Sequence, residues 1–220
     1  SQYDRYLRDM DASMRQKVAL TAAHLLAEGR VADMGMGSGA GSHALAALYP
    51  KLEVVGVDVD PRMVERATDT HRLPNLRFIE GDIAAPCFPD GSVEAIINSS
   101  VLHHVTSYGG YDRSAARGAL AVQARALAEG GVIIVRDFVD PGPGEVWLDL
   151  PDEDGDPEAE HPERASSAAL FVRFAREFRA LDPPEARGFD LEVLTPPRPG
   201  WRRFRCARTH AVEFVLRKDY

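Results

Sequence analysis

Apolar residues in this chain fall into two periods that alternate along its first two thirds. Short apolar runs read as strands at 30–35 (RVADMG), 52–60 (LEVVGVDVD), 76–82 (LRFIEGD), 93–100 (VEAIINSS) and 132–138 (VIIVRDF). Helical spacing is predicted over 11–28, where Met14, Val18, Leu25 and Leu26 share a face up to Gly29. Further helices are predicted over 41–49, over 61–71 with Pro61 at a helix start, and over 114–128 ahead of Gly130-Gly131. Strands alternating with helices at this spacing predict parallel βαβ units: an α/β, Rossmann-like, doubly wound and mostly parallel sheet with helices on both faces.

The pattern changes after residue 138. The stretch 139–163 is rich in Pro, Gly and acid and reads as one long loop, either a solvated insertion or a lid over the strand ends. A helix is predicted over 166–181, with Phe171, Phe174 and Phe178 at helical spacing as core. Two last strands are predicted at 190–196 and 210–218, with the Arg-rich WRRFRC (201–206) extending the first. The reading is a single domain over 1–220.

Composition narrows the function classes. The 220 residues carry a net charge of −8, which disfavours an extended nucleic acid as partner. No apolar run is long enough to span a bilayer, and the charged start SQYDRYLRDMDASMRQK lacks a signal core, so a cytoplasmic protein with no membrane partner is expected. Cys87 and Cys206 are too few and too far apart for a disulfide framework or a metal site.

In a doubly wound sheet, ligands bind outside the carboxyl ends of the strands. The first strand runs into Asp33-Met-Gly35-Met-Gly37-Ser-Gly39. Glycines there let the backbone approach a ligand closely, and the next helix offers free N–H groups. Gly35, Gly37 and Ala40 also satisfy a dinucleotide fingerprint, so a nicotinamide cofactor is a rival at this point. Asp58 ends the second strand and can accept from ribose hydroxyls, which fits either cofactor. Asp82 follows the third strand, placed for an adenine amino group. Asp33 sits beside the cofactor's tail, where a carboxylate suits an ammonium or sulfonium and repels a pyrophosphate.

Together, VADMGMGSGAG, VVGVDVDPRMVERA, FIEGDIAAPCFPDGSVEAIINSSVLHHV and ALAEGGVIIVRDF resemble the class I S-adenosylmethionine (SAM)-dependent methyltransferases over about residues 15–138. The resemblance implies a SAM site with Asp33, Gly35, Gly37 and Gly39 along the methionine moiety and Asp58 on the ribose. It also implies Val59 and Met63 near the adenine, Asp82 and Ile83 at the adenine edge, and Asn98 and Ser99 bordering the methyl group. The product would be S-adenosylhomocysteine (SAH). The family's sheet usually ends in an antiparallel hairpin, which 190–218 could supply; otherwise the chain is a fragment lacking the closing strands.

Two absences bear on the acceptor. Asn98-Ser99-Ser100 is not the Asn/Asp-Pro-Pro-Tyr tetrad of amino-methylating nucleic-acid and protein-glutamine enzymes. No carboxylate follows the fourth strand to hold magnesium, and Asp137 alone is not a metal site, so no metal is expected.

His103 and His104 are the candidates for chemistry: a neutral imidazole near the methyl group could take a proton from an attacking hydroxyl or amine. The alternative is that they pack or cap a helix start. Tyr108, Tyr111, Phe138 and Trp147 are candidate walls of an acceptor pocket. The expected activity is methyl transfer to O, N or C of a small molecule. The alternatives are an RNA or protein methyltransferase, a nicotinamide-dependent oxidoreductase, and an inactive methyltransferase-fold binding subunit.

Overall fold

Runs such as Val54-Val55-Gly56-Val57 and Ala95-Ile96-Ile97 have no polar face, and a parallel sheet covered on both sides is the structure that buries them. The computed structural model describes residues 18, 21–25, 28–108, 112–139, 142–159, 161–178 and 187–217. Most of the helix expected over 11–28 lies outside the described residues. The chain, read from sequence as one domain, divides into two compact units that adjoin at Phe138 and Val139.

The first unit holds five strands: β1 (Gly29–Met34), β2 (Leu52–Asp58), β3 (Leu76–Glu80), β4 (Val93–Ser99) and β5 (Leu127–Arg136). All neighbours are parallel, in the order β3-β2-β1-β4-β5. Helix α1 (Ala40–Leu48) links β1 to β2, and α2 (Pro61–Thr70) links β2 to β3. Two helices, α3 (Leu102–Tyr108) and α4 (Arg113–Ala126), link β4 to β5. Asp60 and Asp112 cap α2 and α4, accepting from the N–H of Arg62 (3.0 Å) and Ser114 (2.8 Å).

Alternation in the strands sorts the core. Ala32, Met34, Val55, Val57 and Ile96 pack with Ala119 and Ala126 of α4. Val31, Val54, Ala95 and Ile97 point the other way, onto Leu45 and Ala46 of α1 and onto Val18 and Ala22. Each fully buried Val or Ile contributes roughly 1.5–3 kcal/mol relative to exposure. The strand order reverses between β1 and β4, where Met34 lies level with both Val57 and Asn98. That reversal is the switch point at which such sheets open a crevice for ligand.

The second unit corrects two expectations. Within 139–163, residues Glu145–Pro151 form strand β6, with Val146, Leu148 and Leu150 packed toward the core. The Pro, Gly and acid on either side hide this alternation in the sequence. The strand expected over 210–218 is not seen in its described part: Arg208–Arg217 is helix α6, with Ala211 and Phe214 buried three apart and Val215 exposed. Strand β7 (Glu192–Leu194) and strand β8 (Trp201–Ala207) do pair antiparallel, but in a separate sheet of order β6-β8-β7. Helix α5 (Ser167–Glu177) completes a core around Phe171, Phe204 and Phe214. Arg203 of β8 holds Asp149, its partner across β6, by two bonds of 2.6 and 2.7 Å.

Candidate active site

The turn after β1 needs a left-handed backbone three times: Gly35, Gly37 and Gly39 have φ of 71°, 55° and 77°. A Cβ on Gly35 would also collide with the side chain of Val101, two residues beyond β4, and one on Gly39 would come within 2.8 Å of Ala67. The N–H groups of Gly35 and Met36 both donate to the Val57 carbonyl (2.8 and 3.0 Å). Asp58 then locks the turn to β2: its Oδ2 accepts from the Gly37 N–H at 2.9 Å and its Oδ1 from the Asp60 N–H at 3.0 Å. Asp33 is buried on β1 and accepts from the Ser42 hydroxyl at 2.6 Å. Burial pushes its carboxyl up to about 6; the Ser42 bond opposes this and the nearby Asp58 carboxylate adds to it.

The adenine-side candidates occupy adjoining ground. Val59 is exposed and Met63 half-buried at the start of α2, close in sequence to Asp58. Asp82 is exposed after β3, and its Oδ1 accepts from the Ala84 N–H (2.8 Å). Ile83 is buried, and its carbonyl accepts from Gln123 Nε2 (3.1 Å).

Asn98 and Ser99 part company. Strand alternation turns Asn98 to the Ile96 side, where it is fully buried. Its amide makes two reciprocal bonds with Gln123 of α4, at 2.7 and 3.1 Å. The side chain expected at the methyl group therefore faces the core and joins β4 to α4. Ser99 faces the other side, where its Oγ accepts from Arg136 Nε and Nη2 (3.1 and 2.9 Å).

Beyond β4 the chain turns into α3 against one carboxylate, Asp137. Its Oδ2 accepts from the N–H groups of Val101, Leu102 and His103 at 3.0, 2.7 and 3.3 Å. Its Oδ1 accepts from the Phe138 N–H (2.8 Å) and lies 2.7 Å from His103 Nδ1. Burial works to raise the Asp137 carboxyl, but the His103 bond, followed by the Phe138 and Leu102 N–H groups, outweighs it and holds the carboxyl down at about 2. An ionised carboxylate only accepts, so Nδ1 donates to it, and in a neutral imidazole the nitrogen without hydrogen is then Nε2. The His103 ring is 15% exposed, with His104 beside it at 4.1 Å and Phe138 edge-on at 5.1 Å. The sequence reading gave Asp137 no role; its signal is the polar pair Arg136-Asp137 that ends an apolar strand.

Of the proposed pocket walls, Phe138 is 55% exposed beside His103, whereas Trp147 is exposed on β6 of the second unit. Tyr111 and the side chain of Tyr108 lie outside the described residues. Among the described residues, no group of three His, Cys, Asp or Glu could hold a metal ion, and no helix is long and apolar enough to cross a membrane.

A five-stranded parallel sheet with a glycine turn at its switch point and carboxylates at successive strand ends defines an α/β cofactor-binding domain. Residues 31–131 match the family model described as a methyltransferase domain. A trans-aconitate 2-methyltransferase of Methylobacterium nodulans is 34% identical over 133 residues, covering 60% of this chain and 47% of the relative. A demethylmenaquinone methyltransferase of Thermus thermophilus is 32% identical over 121 residues, covering 54% of this chain and 51% of the relative. The chain thus spans about half the length of the curated relatives it matches. The crystal structure of the YcgJ protein from Bacillus subtilis shares the fold, with a TM-score of 0.50 and 20% identity over 88% of this chain and 94% of that one. Residues 31–131 are therefore similar to a methyltransferase domain, and that likeness together with the fold implies SAM as the cofactor.

Proposed function

We propose that this protein methylates a small molecule with SAM as donor, and that His103 is the general base. The observation that carries this reading is the pairing of two locked sites on neighbouring strand ends. One is the glycine turn held by Asp58; the other is the imidazole held by Asp137. SAM, when bound, supplies an electrophilic methyl group on a cationic sulfur.

The residues fit that ligand. Asp33 and Asp58 put negative charge and hydrogen-bond acceptors at the turn, which suits a cationic tail and a ribose and repels a pyrophosphate. This favours SAM over a nicotinamide dinucleotide. Gly35, Gly37 and Gly39 keep the turn open for the methionine portion, with Val59, Met63, Asp82 and Ile83 on the adenine side. Ser99 and the main chain of Asn98 border the reaction centre. His103 Nε2 receives the acceptor's proton, while Asp137 fixes the tautomer and the ring's orientation. His104 then lines the site. The enzyme's further task is to hold donor and acceptor in line in a dry pocket.

The names of the two relatives, one for a carboxylic acid and one for a quinone, favour a small-molecule acceptor over RNA or protein. The free cysteines Cys87 and Cys206 fit a reducing compartment, the cytoplasm. Calorimetry with SAH and with NAD, followed by a labelled-methyl assay against metabolite, RNA and protein fractions, tests the reading. SAH binding and label in the metabolite fraction are expected. NAD binding with no response to SAH overturns it.

A further inference from the structure

The ends of β4 and β5 carry a second polar cluster that neither the glycine turn nor the His103–Asp137 pair uses. Ser99 and Arg136 are register partners, so their side chains leave the same face of the sheet. The half-buried guanidinium donates to Ser99 Oγ through Nε and Nη2 (3.1 and 2.9 Å), and to Ser100 Oγ through Nη2 (2.8 Å). Arg30, Arg77, Arg125, Arg203 and Arg205 each sit on a carboxylate. Arg136 sits on hydroxyls alone: among the described residues, no carboxylate lies within ion-pair distance of it. Its charge therefore stands near the sheet edge without a protein counter-charge, where an anionic ligand can supply one.

The hydroxyls sharpen this reading. A serine oxygen that accepts from Arg still has its own hydrogen to donate. The cluster thus offers a ligand donors: two O–H groups and the remaining N–H groups of the guanidinium. Ser100 is moreover a non-glycine residue in the left-handed region, with φ 58°. Glycine would take that conformation without strain. Serine keeps a hydroxyl there, and the Ser100 N–H bond to the Arg136 carbonyl (2.7 Å) holds it in place against the guanidinium. Strain retained for the sake of a side chain points to a ligand.

The position selects which ligand. Adjacent strand residues face opposite ways, so Asp137 turns to the start of α3 while Arg136 turns to Ser99. Ser100 lies three residues before His103. β5 is two strands from β1, roughly 10 Å at about 4.8 Å per strand, whereas the cofactor residues Asp33 and Asp58 lie on β1 and β2. We infer that Arg136, Ser99 and Ser100 form a carboxylate seat for the methyl acceptor, so that the acceptor is an acidic small molecule. This rests on the methyl-transfer reading above.

Calorimetry on SAH-saturated protein tests the seat with a panel of mono-, di- and tricarboxylates and their methyl esters as probes. At least one carboxylate should bind the wild type, its ester should not, and Arg136→Met should weaken binding roughly ten- to hundredfold. Arg136→Lys, which keeps the charge and loses the fork, should fall between the two. Melting curves establish that each variant is folded, and Ser99→Ala gives an independent variant expected to weaken the same probe. SAH affinity should stay within about twofold in Arg136→Met and Arg136→Lys. The seat is overturned if no carboxylate binds while SAH does, or if binding is the same in folded Arg136→Met, Arg136→Lys and Ser99→Ala. A roughly tenfold loss of SAH affinity in Arg136→Met makes the carboxylate the cofactor's own and also overturns it. Failure of the wild type to bind SAH sinks the methyl-transfer reading instead.

Discussion

The strand-end edge of the first unit has two halves built on different rules. Over β1 and β2 the chemistry belongs to the backbone: three left-handed glycines and N–H groups, with carboxylates as braces. Over β4 and β5 it belongs to side chains: an imidazole, a guanidinium and two hydroxyls, again braced by one carboxylate. The first half suits a ligand whose shape never varies. The second suits one whose identity can change by substituting a few side chains. This division of labour makes sharp predictions, because each half should be breakable alone.

The largest effect is expected at the imidazole. His103→Ala should lower the single-turnover rate by roughly 10²–10⁴-fold with SAH affinity within about twofold. Asp137→Asn should act in the same direction, because an amide N–H facing Nδ1 forces the proton onto Nε2 and removes the base. Near-normal rates in both folded variants would leave positioning alone to carry the reaction.

The next effect belongs to the other half. Asp58→Ala should weaken SAH binding by roughly ten- to hundredfold, since it removes a charged acceptor that also holds Gly37. Unchanged affinity in titrations of the folded variant would detach the ribose from Asp58.

A smaller effect follows from Asp33. With its carboxyl at about 6, lowering the pH from 7 to 5 protonates it, and SAM affinity should fall by up to about tenfold. Asp33→Asn should flatten that dependence. The sign for stability is opposite. A raised carboxyl stabilises the fold below its usual value of 3.8 and loses that contribution as pH rises through about 6. Ligand-free Asp33→Asn should accordingly melt higher than wild type at pH 8, and an unchanged melting temperature would count against the shift.

The smallest functional effect is expected at Asn98. Asn98→Ala strands the buried Gln123 amide, at a cost of about 1–3 kcal/mol, while SAH affinity holds. A selective loss of affinity without a drop in melting temperature would return Asn98 to the cofactor half.

The sequence made the β1–β2 half legible because its signals are local. Glycines within five residues and an aspartate at a strand end can be read without knowing what they face. The β4–β5 half depends on partners far along the chain. Asp137 meets His103 from 34 residues away, and Gln123 meets Asn98 from 25. Whether Asn98 turns inward or Ser99 outward depends on strand register, which apolar runs such as Ala95-Ile96-Ile97 do not reveal. In the second unit, Pro and Gly around β6 masked a period of two, and the β-branched residues of α6 imitated one.

The carboxylate of Asp137 has a consequence for how this domain could diversify. Because it fastens both the first N–H groups of α3 and the His103 ring, the reference point for the chemistry lies on the rigid strand side of the helix, not within the helix itself. On the proposed reading of His103 as the base, residues 104–106 can then be exchanged without displacing it. A lineage, or a directed-evolution library, would then be able to vary α3 while inheriting the proposed proton acceptor in the same place.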